Sequence, residues 1–542
     1  MTTRTISASP FTGTWALIRF DLRRDRVKFP AWVLGLTVMV IYFTTALPLL
    51  YGSEEEMAEA AGAFLTGPVV SLFGGPGYGF EDLTFPRFFV GLYGLYVLIM
   101  AALMSILMIS RHTRVEEQAG RAELVQANVV GRRAPLTAAL AVTVMANVAL
   151  GILIGIVLVG QGYEAAGSFL FGAGVTAIGL AFTGVAAATV QLSEFSRTAS
   201  GLAGIILGVA YGVRVAGDAI QEHGSALSWF SPLAWSQQTR PFVDERWWPL
   251  LLPIAFAIVT IGTGYALARR RDLGAGLYGV RPGPAQAARW IDSPLALAYR
   301  LHRGSILGWS AALLVWGFGN GIIVEPIVDG LGELSTDVLA IFGGDAAGGI
   351  IDGYLATMGV YNATVIAIFV VLGVSGLRAE EYGGRTEPVL ATATSRWSWL
   401  GSHMAVLAIG STVLLSVTGL GMGLGAAAGM GESQLIWDVT AGHLAFVPAI
   451  LVIAAIAGLL YGIAPGAVGA AWVAVVYGFF MGFFAPLWDL PQWVLNLSPF
   501  EHVPAIPQES FVATPLILLT IVAAAIAAAA ASAFRSRDLT ST

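Results

Sequence analysis

Two loops of the sequence carry the same pattern of acidic and basic residues. One loop begins with Arg-Val-Glu-Glu-Gln-Ala-Gly-Arg-Ala-Glu at residue 114, and the other begins with Arg-Ala-Glu-Glu-Tyr-Gly-Gly-Arg-Thr-Glu at residue 378. Seven landmark positions match at one constant spacing: Arg114, Glu116, Glu117, Gly120, Arg121, Glu123 and Arg132 in the first loop, and Arg378, Glu380, Glu381, Gly384, Arg385, Glu387 and Arg396 in the second. A fixed arrangement of both signs of charge is typical of a surface that recognises a partner protein.

The spacing within each loop predicts a short charged helix. Glu117 and Arg121 are four residues apart, as are Glu381 and Arg385, and a glutamate that precedes an arginine by four positions forms a favourable helical ion pair. A solvated loop that only sets membrane orientation needs positive charge but no such pattern. We therefore interpret the two loops as docking elements for a partner.

Other residue types limit the chemistry of the chain itself. Cysteine is absent, which excludes disulfides and thiolate metal sites. The six histidines are scattered, and neither H-E-x-x-H nor G-x-S-x-G occurs. We therefore predict no catalytic residue, no metal site and no nucleic-acid partner, and we disfavour an intramembrane hydrolase. Lys28 is the only lysine and stands between Val27 and Phe29, whereas a P-loop requires Gly-Lys-Ser/Thr. The sequence therefore has no Walker-type ATPase site of its own.

The composition indicates a membrane protein. Of the 542 residues, 56% are hydrophobic and only 11% are charged, against about 25% charged in soluble domains, and the mean hydropathy is +0.75. Twelve apolar runs are long enough to cross a bilayer, which needs about 20 residues each. The predicted fold is an all-α polytopic bundle with twelve transmembrane helices, surrounded by the lipid bilayer.

An even number of spans places both termini on one side of the membrane. If that side is the cytoplasm, all but four of the 28 basic residues lie inside, the exceptions being Arg87, Arg214, Arg240 and Arg246. Such an excess of internal positive charge is what the positive-inside rule requires. We predict a bacterial plasma-membrane protein with both termini cytoplasmic.

Weaker matches extend the repeat along the chain. Arg-x-Arg-Asp-Leu occurs from Arg269 and again from Arg535, and Ser-Pro occurs at Ser231 and again at Ser498. These matches predict two parallel six-span repeats, at residues 1–275 and 293–542, joined by a cytoplasmic linker at 276–292. Because repeats of even span number share one orientation, a transport pathway between the halves is the natural inference.

The charged loop after the second span, the basic amphipathic segment before the first and the Ser-Pro segment before the sixth resemble the transmembrane permease subunit of type-2 ABC exporters. The doubled form is similar to actinobacterial permeases of polyketide-antibiotic and multidrug exporters. This resemblance implies three kinds of additional helix in each half: elbow helices at 11–25 and 294–303, coupling helices at 115–127 and 379–391, and re-entrant helices at 225–240 and 490–509.

The resemblance also implies the partners and the substrate. It predicts a separately encoded ATP-binding subunit, present in two copies that hold ATP and Mg, and no cofactor in this chain. The implied cargo is a hydrophobic small molecule. Because the family lines its pathway with the second and fifth spans of each half, candidate cavity residues are Phe89, Tyr93, Tyr96, Met100, Tyr361 and Asn362. Arg214 and Asp218 are either an outer gate or a capped helix end.

An ion-coupled drug transporter is the alternative. Such transporters place ionisable groups deep in the helix bundle, at a cost of about 2.5 to 3.5 kcal/mol for a charged residue at a helix centre. The middle of each predicted span lacks Asp, Glu, Arg, Lys and His, and its deep polar residues are Asn147, Asn320 and Asn362. This distribution favours ATP-driven transport.

The missing P-loop lysine makes a direct prediction. The purified chain alone is expected to release no phosphate from ATP, in detergent or in liposomes. Turnover that persists after every other protein has been removed would contradict it.

Overall fold

The computed structural model describes residues 9–62, 74–221, 223–279, 283, 285–324, 349–484 and 491–539. Throughout these ranges the regular structure is helical, and no strand occurs in them. Twelve of the described helices are long and apolar enough to cross a bilayer: spans 1 to 6 are Lys28–Tyr51, Phe85–Gln118, Ala134–Gly160, Ala165–Thr189, Ser196–Ile220 and Trp248–Ala268, and spans 7 to 12 are Pro294–Ile322, Ile351–Tyr382, Arg396–Met430, Leu435–Ile463, Pro465–Gly482 and Ala513–Ser536. The predicted all-α, twelve-span fold is confirmed.

The chain divides into two compact units, at residues 1–283 and 284–542, and each holds six spans. We name them unit one and unit two. The division falls inside the stretch 276–292.

Span 4 is the centre of unit one. Most of its side chains are buried, and it packs against spans 2, 3 and 6. A Cβ atom added at Gly172 in this span would lie 2.2 Å from the carbonyl oxygen of Gly151 in span 3. Because lipid supplies no hydrophobic force between helices, association depends on such close backbone packing. The small residues of span 4 therefore hold the unit together.

Span 2 contains one π-helical turn, Phe89–Tyr93, which precedes the α-helix Gly94–His112. Gly91 in this turn touches the preceding loop, since a Cβ atom added at Gly74 would lie 2.2 Å from the Gly91 carbonyl oxygen. Single π-helical turns within α-helices occur frequently at functional sites. The loop therefore packs directly on the irregular part of the span.

Spans 7 and 9 form the closest helix pair of unit two. Gly317 and Gly321 in span 7 face Gly421 and Gly425 in span 9, each pair at a spacing of four residues. An added Cβ atom would lie 2.5 Å from a carbonyl oxygen of the partner helix at Gly317 or Gly421, 2.0 Å at Gly321 and 2.2 Å at Gly425. Two glycine pairs thus allow backbone-to-backbone contact along one seam.

The additional helices differ from their predicted form. Over the predicted elbow at 11–25, unit one has a separate helix, Thr14–Arg24. The stretch 294–303 instead forms the first turns of the continuous helix Pro294–Ile322, so a separate second elbow is wrong. The physical difference is that Asp25 ends the first helix before span 1, whereas no break follows the cap of Ser293 on the Ala296 N–H.

The Ser-Pro segments both start short helices. Ser231 precedes Pro232–Gln237 and Ser498 precedes the 3-10 turn Pro499–His502, in keeping with the preference of proline for the first helical turn. Residue 490, the first residue of the second predicted re-entrant stretch, lies outside the described residues.

The glycine seam of unit two predicts a position-dependent response to alanine. Gly321→Ala is expected to destabilise the chain by about 1 to 3 kcal/mol, since its Cβ overlaps a backbone carbonyl. Gly308→Ala, in the same helix, has no atom within 4 Å of the new Cβ and serves as the matched control. Thermal unfolding of the two purified variants and the wild type measures the change in stability that each substitution causes. Equal midpoints would show that the seam is not tightly packed.

Candidate functional site

A glycine turn shapes each charged loop. Gly120 has a φ of 69° and Gly384 a φ of 65°, a left-handed conformation that glycine adopts without steric cost. The first loop therefore consists of two short helices, Arg114–Gln118 and Arg121–Gln126, and the second resumes after its turn as Thr386–Leu390. Neither loop is the single coupling helix that the spacing predicted.

The turn changes the ion pairs of both loops. Arg121 donates two hydrogen bonds of 2.8 Å to Glu116, and Arg385 donates bonds of 2.8 and 3.0 Å to Glu380. The predicted pairs Glu117–Arg121 and Glu381–Arg385 are therefore wrong, because the chain reverses at the glycine and returns each arginine to the earlier glutamate. These hydrogen bonds raise the pKa of Arg121 and of Arg385 above the ordinary value.

The second glutamate of each loop binds the end of the last span of its unit. Arg271 donates to Glu117 over 2.7 and 2.9 Å, and Arg537 donates to Glu381 over 2.7 and 2.8 Å. Both arginines belong to the repeated Arg-x-Arg-Asp-Leu segments. The two motifs that recur in the sequence are thus joined by a bidentate ion pair within each unit, a geometry that adds both strength and orientation.

The arginine that follows each loop adds a second connection. Arg132 donates to the carbonyl oxygen of Arg271 at 2.8 Å. Arg396 donates to the carbonyl oxygens of Arg535, at 3.1 Å, and Arg537. A cation at carbonyl groups near a helix C-terminus satisfies acceptors that lack partners within the helix. Loop and span end are therefore fastened at two points in both units.

The first residue of the pattern behaves differently in the two units. Arg114 is fully buried and donates to the carbonyl oxygens of Val190 and Ala275 as well as to Glu117. Arg378 is exposed and lies over the ring of Tyr382, 5.2 Å from its centroid. In unit one Arg114 thus adds a hydrogen bond to the second glutamate, Glu117. In unit two a tyrosine supplies the corresponding bond, because the Tyr461 hydroxyl donates to Glu381 at 2.6 Å.

The third glutamate of each loop points to solvent. Glu123 and Glu387 are exposed in the first turns of the helices Arg121–Gln126 and Thr386–Leu390. Within the ranges that the structure describes, neither carboxylate forms an ion pair. These two carboxylates are therefore available to a cation of another molecule.

A cavity of about 440 Å³ lies beside the first loop. Its walls combine apolar residues of the helix Thr14–Arg24 and of the loop, Phe20 and Val125 among them, with the charged groups of Arg24, Glu116 and Arg271. Arg24 also pairs with Glu116, which joins that helix to the loop. The cavity therefore presents apolar and charged groups side by side.

The candidate cavity residues of span 2 lie on and after the π-helical turn. Phe89 is buried edge-on against Phe171, and Tyr93 stacks on Phe43 with ring centroids 4.2 Å apart. Tyr96 is exposed and Met100 is half-buried. Tyr96 is thus the most accessible of the four.

The candidates of span 8 sit beside a buried polar chain. Asn362 is fully buried, accepts from the Trp316 indole at 3.1 Å and lies 3.0 Å from His443 Nε2, while Tyr361 is half-buried. His443 Nδ1 lies 2.8 Å from the Val439 carbonyl and must donate to it, so Nε2 accepts from Asn362 and the ring is neutral.

The position of His443 corrects one expectation. Span 10 begins at Leu435, earlier than its apolar run indicated, so His443 lies inside the helix and is buried. The described spans therefore contain buried histidines that lie outside the predicted span middles, among them His443 in span 10 and His403 in span 9. No group of three His, Asp or Glu side chains in the described ranges could hold a metal ion.

Arg214 and Asp218 lie in the last two turns of span 5, at the end opposite the loop, since Ser196 at its start bonds to Gln118. Both are buried. Arg214 donates to the Gly74 carbonyl at 3.0 Å and lies 3.4 Å from Asp218, which accepts from Ser228 at 2.6 Å. The pair therefore joins three segments, and a gating role stays a prediction.

The comparison with known proteins agrees with this architecture. The family model described as multidrug efflux system permease Rv1217c, C-terminal domain, matches residues 17–269 and 291–535. The chain belongs to this family. It is 37% identical over 535 residues to the multidrug efflux system permease protein Rv1217c of Mycobacterium tuberculosis (strain ATCC 25618 / H37Rv), which covers 98% of this chain and 96% of the relative. The resemblance to multidrug permeases is confirmed.

In this member of the family, the direct partners of the loops are residues that were not predicted from the sequence. Arg271 and Arg537 pair with the second glutamates, Arg24 pairs with Glu116, and Tyr461 bonds to Glu381. A signal for the first two existed, because Arg-x-Arg-Asp-Leu recurs with the loops. No spacing within the sequence indicates Tyr461 or Arg24.

The connection between loop and span end predicts an energetic coupling. Arg537→Gln leaves the buried Glu381 carboxylate without its cation and is expected to destabilise the chain by about 3 kcal/mol. The double variant Glu381→Gln, Arg537→Gln should recover part of this loss, since neither buried group is then charged. Arg535→Gln, at an exposed guanidinium two residues away, is the control. Thermal unfolding midpoints of the wild type, these three variants and the single variant Glu381→Gln measure the coupling, and strictly additive losses in the double variant would contradict it.

Proposed function

We propose that this chain is the membrane-spanning permease subunit of an ATP-driven ABC exporter. Its cargo would be hydrophobic or amphipathic drugs and polyketide-like compounds, moved out of a bacterial cell. The family membership and the similarity to a multidrug efflux permease support drug export. The missing P-loop lysine supports a separate energy source.

The observation that carries the proposal is the same connection in both units. Each loop is joined to the end of its last span by a bidentate Glu–Arg pair, and each following arginine binds carbonyl groups at that end. A push on either loop would therefore act on the second, third and sixth spans of its unit together. That is the property that a coupling element between an external ATPase and a helix bundle requires.

Two loops imply two docking events. In this proposal, two copies of a separately encoded ATP-binding subunit each bind one loop and hold the ATP and Mg. Glu123 and Glu387 would meet arginine or lysine side chains of that subunit, since they are exposed and carry no ion pair in the described structure. Glu117 and Glu381 would act differently, by holding each loop on its unit.

The orientation follows from the same proposal. With the loops and the Arg-x-Arg-Asp-Leu ends on the cytoplasmic side of the plasma membrane, both termini are cytoplasmic and the basic residues concentrate inside. The ion pairs support part of this arrangement, because they require loop and span end of each unit to lie on one side.

Charge reversal at the exposed carboxylates tests the docking. We expect Glu123→Lys with Glu387→Lys to reduce permease-stimulated ATP hydrolysis by the partner subunit at least tenfold, because each like-charge contact at an interface costs several kcal/mol. The unfolding midpoint should not change. Asp292→Lys, at an exposed carboxylate outside both loops, is the control.

A second pair of variants separates docking from positioning. Glu117→Gln with Glu381→Gln should lower both the stimulated hydrolysis and the unfolding midpoint. Wild-type stimulation by the Glu123, Glu387 double variant would refute docking at these loops. Drug export from vesicles that needs a proton gradient but no ATP would instead establish the ion-coupled alternative, for which the buried ionisable groups within the described spans include Arg214, Asp218, His403 and His443.

A further inference from the structure

A second cavity in unit one, of about 260 Å³, is separate from the loop. It lies where the segment before the helix Thr14–Arg24, the start of span 3 and the end of span 6 meet. Its lining is Phe11, Arg133, Gly262, Tyr265, Ala266 and Arg269. Two cations, two rings and two small apolar residues thus share one recess.

The two arginines of this recess have no acidic partner. In the described part of the chain, neither the Arg133 nor the Arg269 guanidinium forms an ion pair or a hydrogen bond to a protein acceptor. Arg133 lies over the ring of Phe11, 5.7 Å from its centroid. By contrast, Arg132 donates to the Arg271 carbonyl oxygen, and Arg271 pairs with Glu117 of the loop. The recess therefore holds two uncompensated positive charges.

The apolar part of the recess continues along span 6. Gly262 and Ala266, four residues apart on one helix face, are both exposed. No atom lies within 4 Å of a Cβ added at Gly262, so the strip is open. Tyr265 forms its fixed wall, because its hydroxyl lies 2.7 Å from Thr137 Oγ1. A narrow apolar strip thus leads away from the two arginines into the membrane-spanning part of the helix.

The two arginines flank the ends of spans, which is the level in a bilayer where lipid phosphates lie. Arg269 directly follows Ala268, the last residue of span 6, and Arg133 directly precedes Ala134, the first residue of span 3. Because a spanning helix covers the hydrocarbon core, residues that flank its ends are expected near the boundary between hydrocarbon and headgroups. Arginine binds phosphate oxygens through paired N–H groups, and basic pockets between helix ends are known to hold anionic headgroups.

We propose that this recess binds one anionic phospholipid, with its phosphate between Arg133 and Arg269 and an acyl chain along Gly262 and Ala266. The strip selects a lipid over a soluble phosphate compound, since a free anion would leave it uncovered. The bound lipid would hold the segment before the helix Thr14–Arg24 against span 6 without taking part in docking at the loop.

Unit two lacks the second cation of this site. At the position that matches Arg133, next to the matched pair Arg132 and Arg396, unit two has Trp397. Arg535 matches Arg269, but Trp397 replaces the arginine that would correspond to Arg133. The site is therefore assigned to unit one alone, and Arg535 provides a matched control.

The test uses the purified full chain without nucleotide or partner, so that its result does not depend on the proposed export function. Native mass spectrometry measures the first bound phosphatidylglycerol and, in parallel, phosphatidylcholine with the same acyl chains. The wild type should prefer phosphatidylglycerol. Arg133→Gln with Arg269→Gln should weaken this binding roughly 30-fold, from about 1 kcal/mol per arginine. Arg535→Gln should bind as the wild type does.

Two further measurements separate lipid from anion. Gly262→Phe fills the strip without changing charge and should weaken both lipids alike. Glycerol phosphate, the headgroup alone, should not displace phosphatidylglycerol. No headgroup preference in the wild type, or equal binding by the Arg133, Arg269 and Arg535 variants, would overturn the proposal. Displacement by glycerol phosphate at lipid-equivalent concentration would show a soluble-anion site instead.

Discussion

The bidentate pair between a loop glutamate and the arginine beyond the last span is the interaction on which each unit depends. Glu117 and Arg271 are 154 positions apart, and Glu381 and Arg537 are 156 apart, yet both pairs close at 2.7 Å. All four side chains are largely buried, and a buried charge without its partner costs several kcal/mol. Because that cost penalises separation, loop and span end stay together whenever the unit is folded.

Small residues transmit this constraint through each unit. In unit one, Gly151 and Gly172 bring the backbones of spans 3 and 4 into contact, and in unit two the glycine seam does the same for spans 7 and 9. Closely packed helix interfaces do not deform continuously; they either keep their arrangement or change to a second discrete one. In the proposed function, a displacement imposed on the loop would therefore be carried by whole helices.

The two units have diverged around a common connection. Unit one buries Arg114 against the stretch at Ala275 and joins the helix Thr14–Arg24 to the loop through Arg24. Unit two leaves Arg378 exposed, runs 294–303 directly into span 7 and uses Tyr461 instead. The glutamate–arginine pair and the glycine turn are what both retain. Features outside that shared core, such as the uncompensated Arg133 and Arg269, are free to serve one unit only.

The helical class, the number of spans, the absence of a P-loop lysine and the sequence match between the two loops can all be read from the sequence, because each depends on local composition or on direct self-comparison. The recurrence of the charged loops and of the Arg-x-Arg-Asp-Leu segments is also visible in the sequence, but nothing there indicates that the two motifs contact each other. Which side chains form ion pairs, however, depends on the three-dimensional packing. A left-handed glycine reverses each loop and returns Arg121 to Glu116, so the helical spacing rule does not apply across it. Arg271 reaches Glu117, and His443 reaches Asn362, only through the packing of distant helices, which no local pattern encodes.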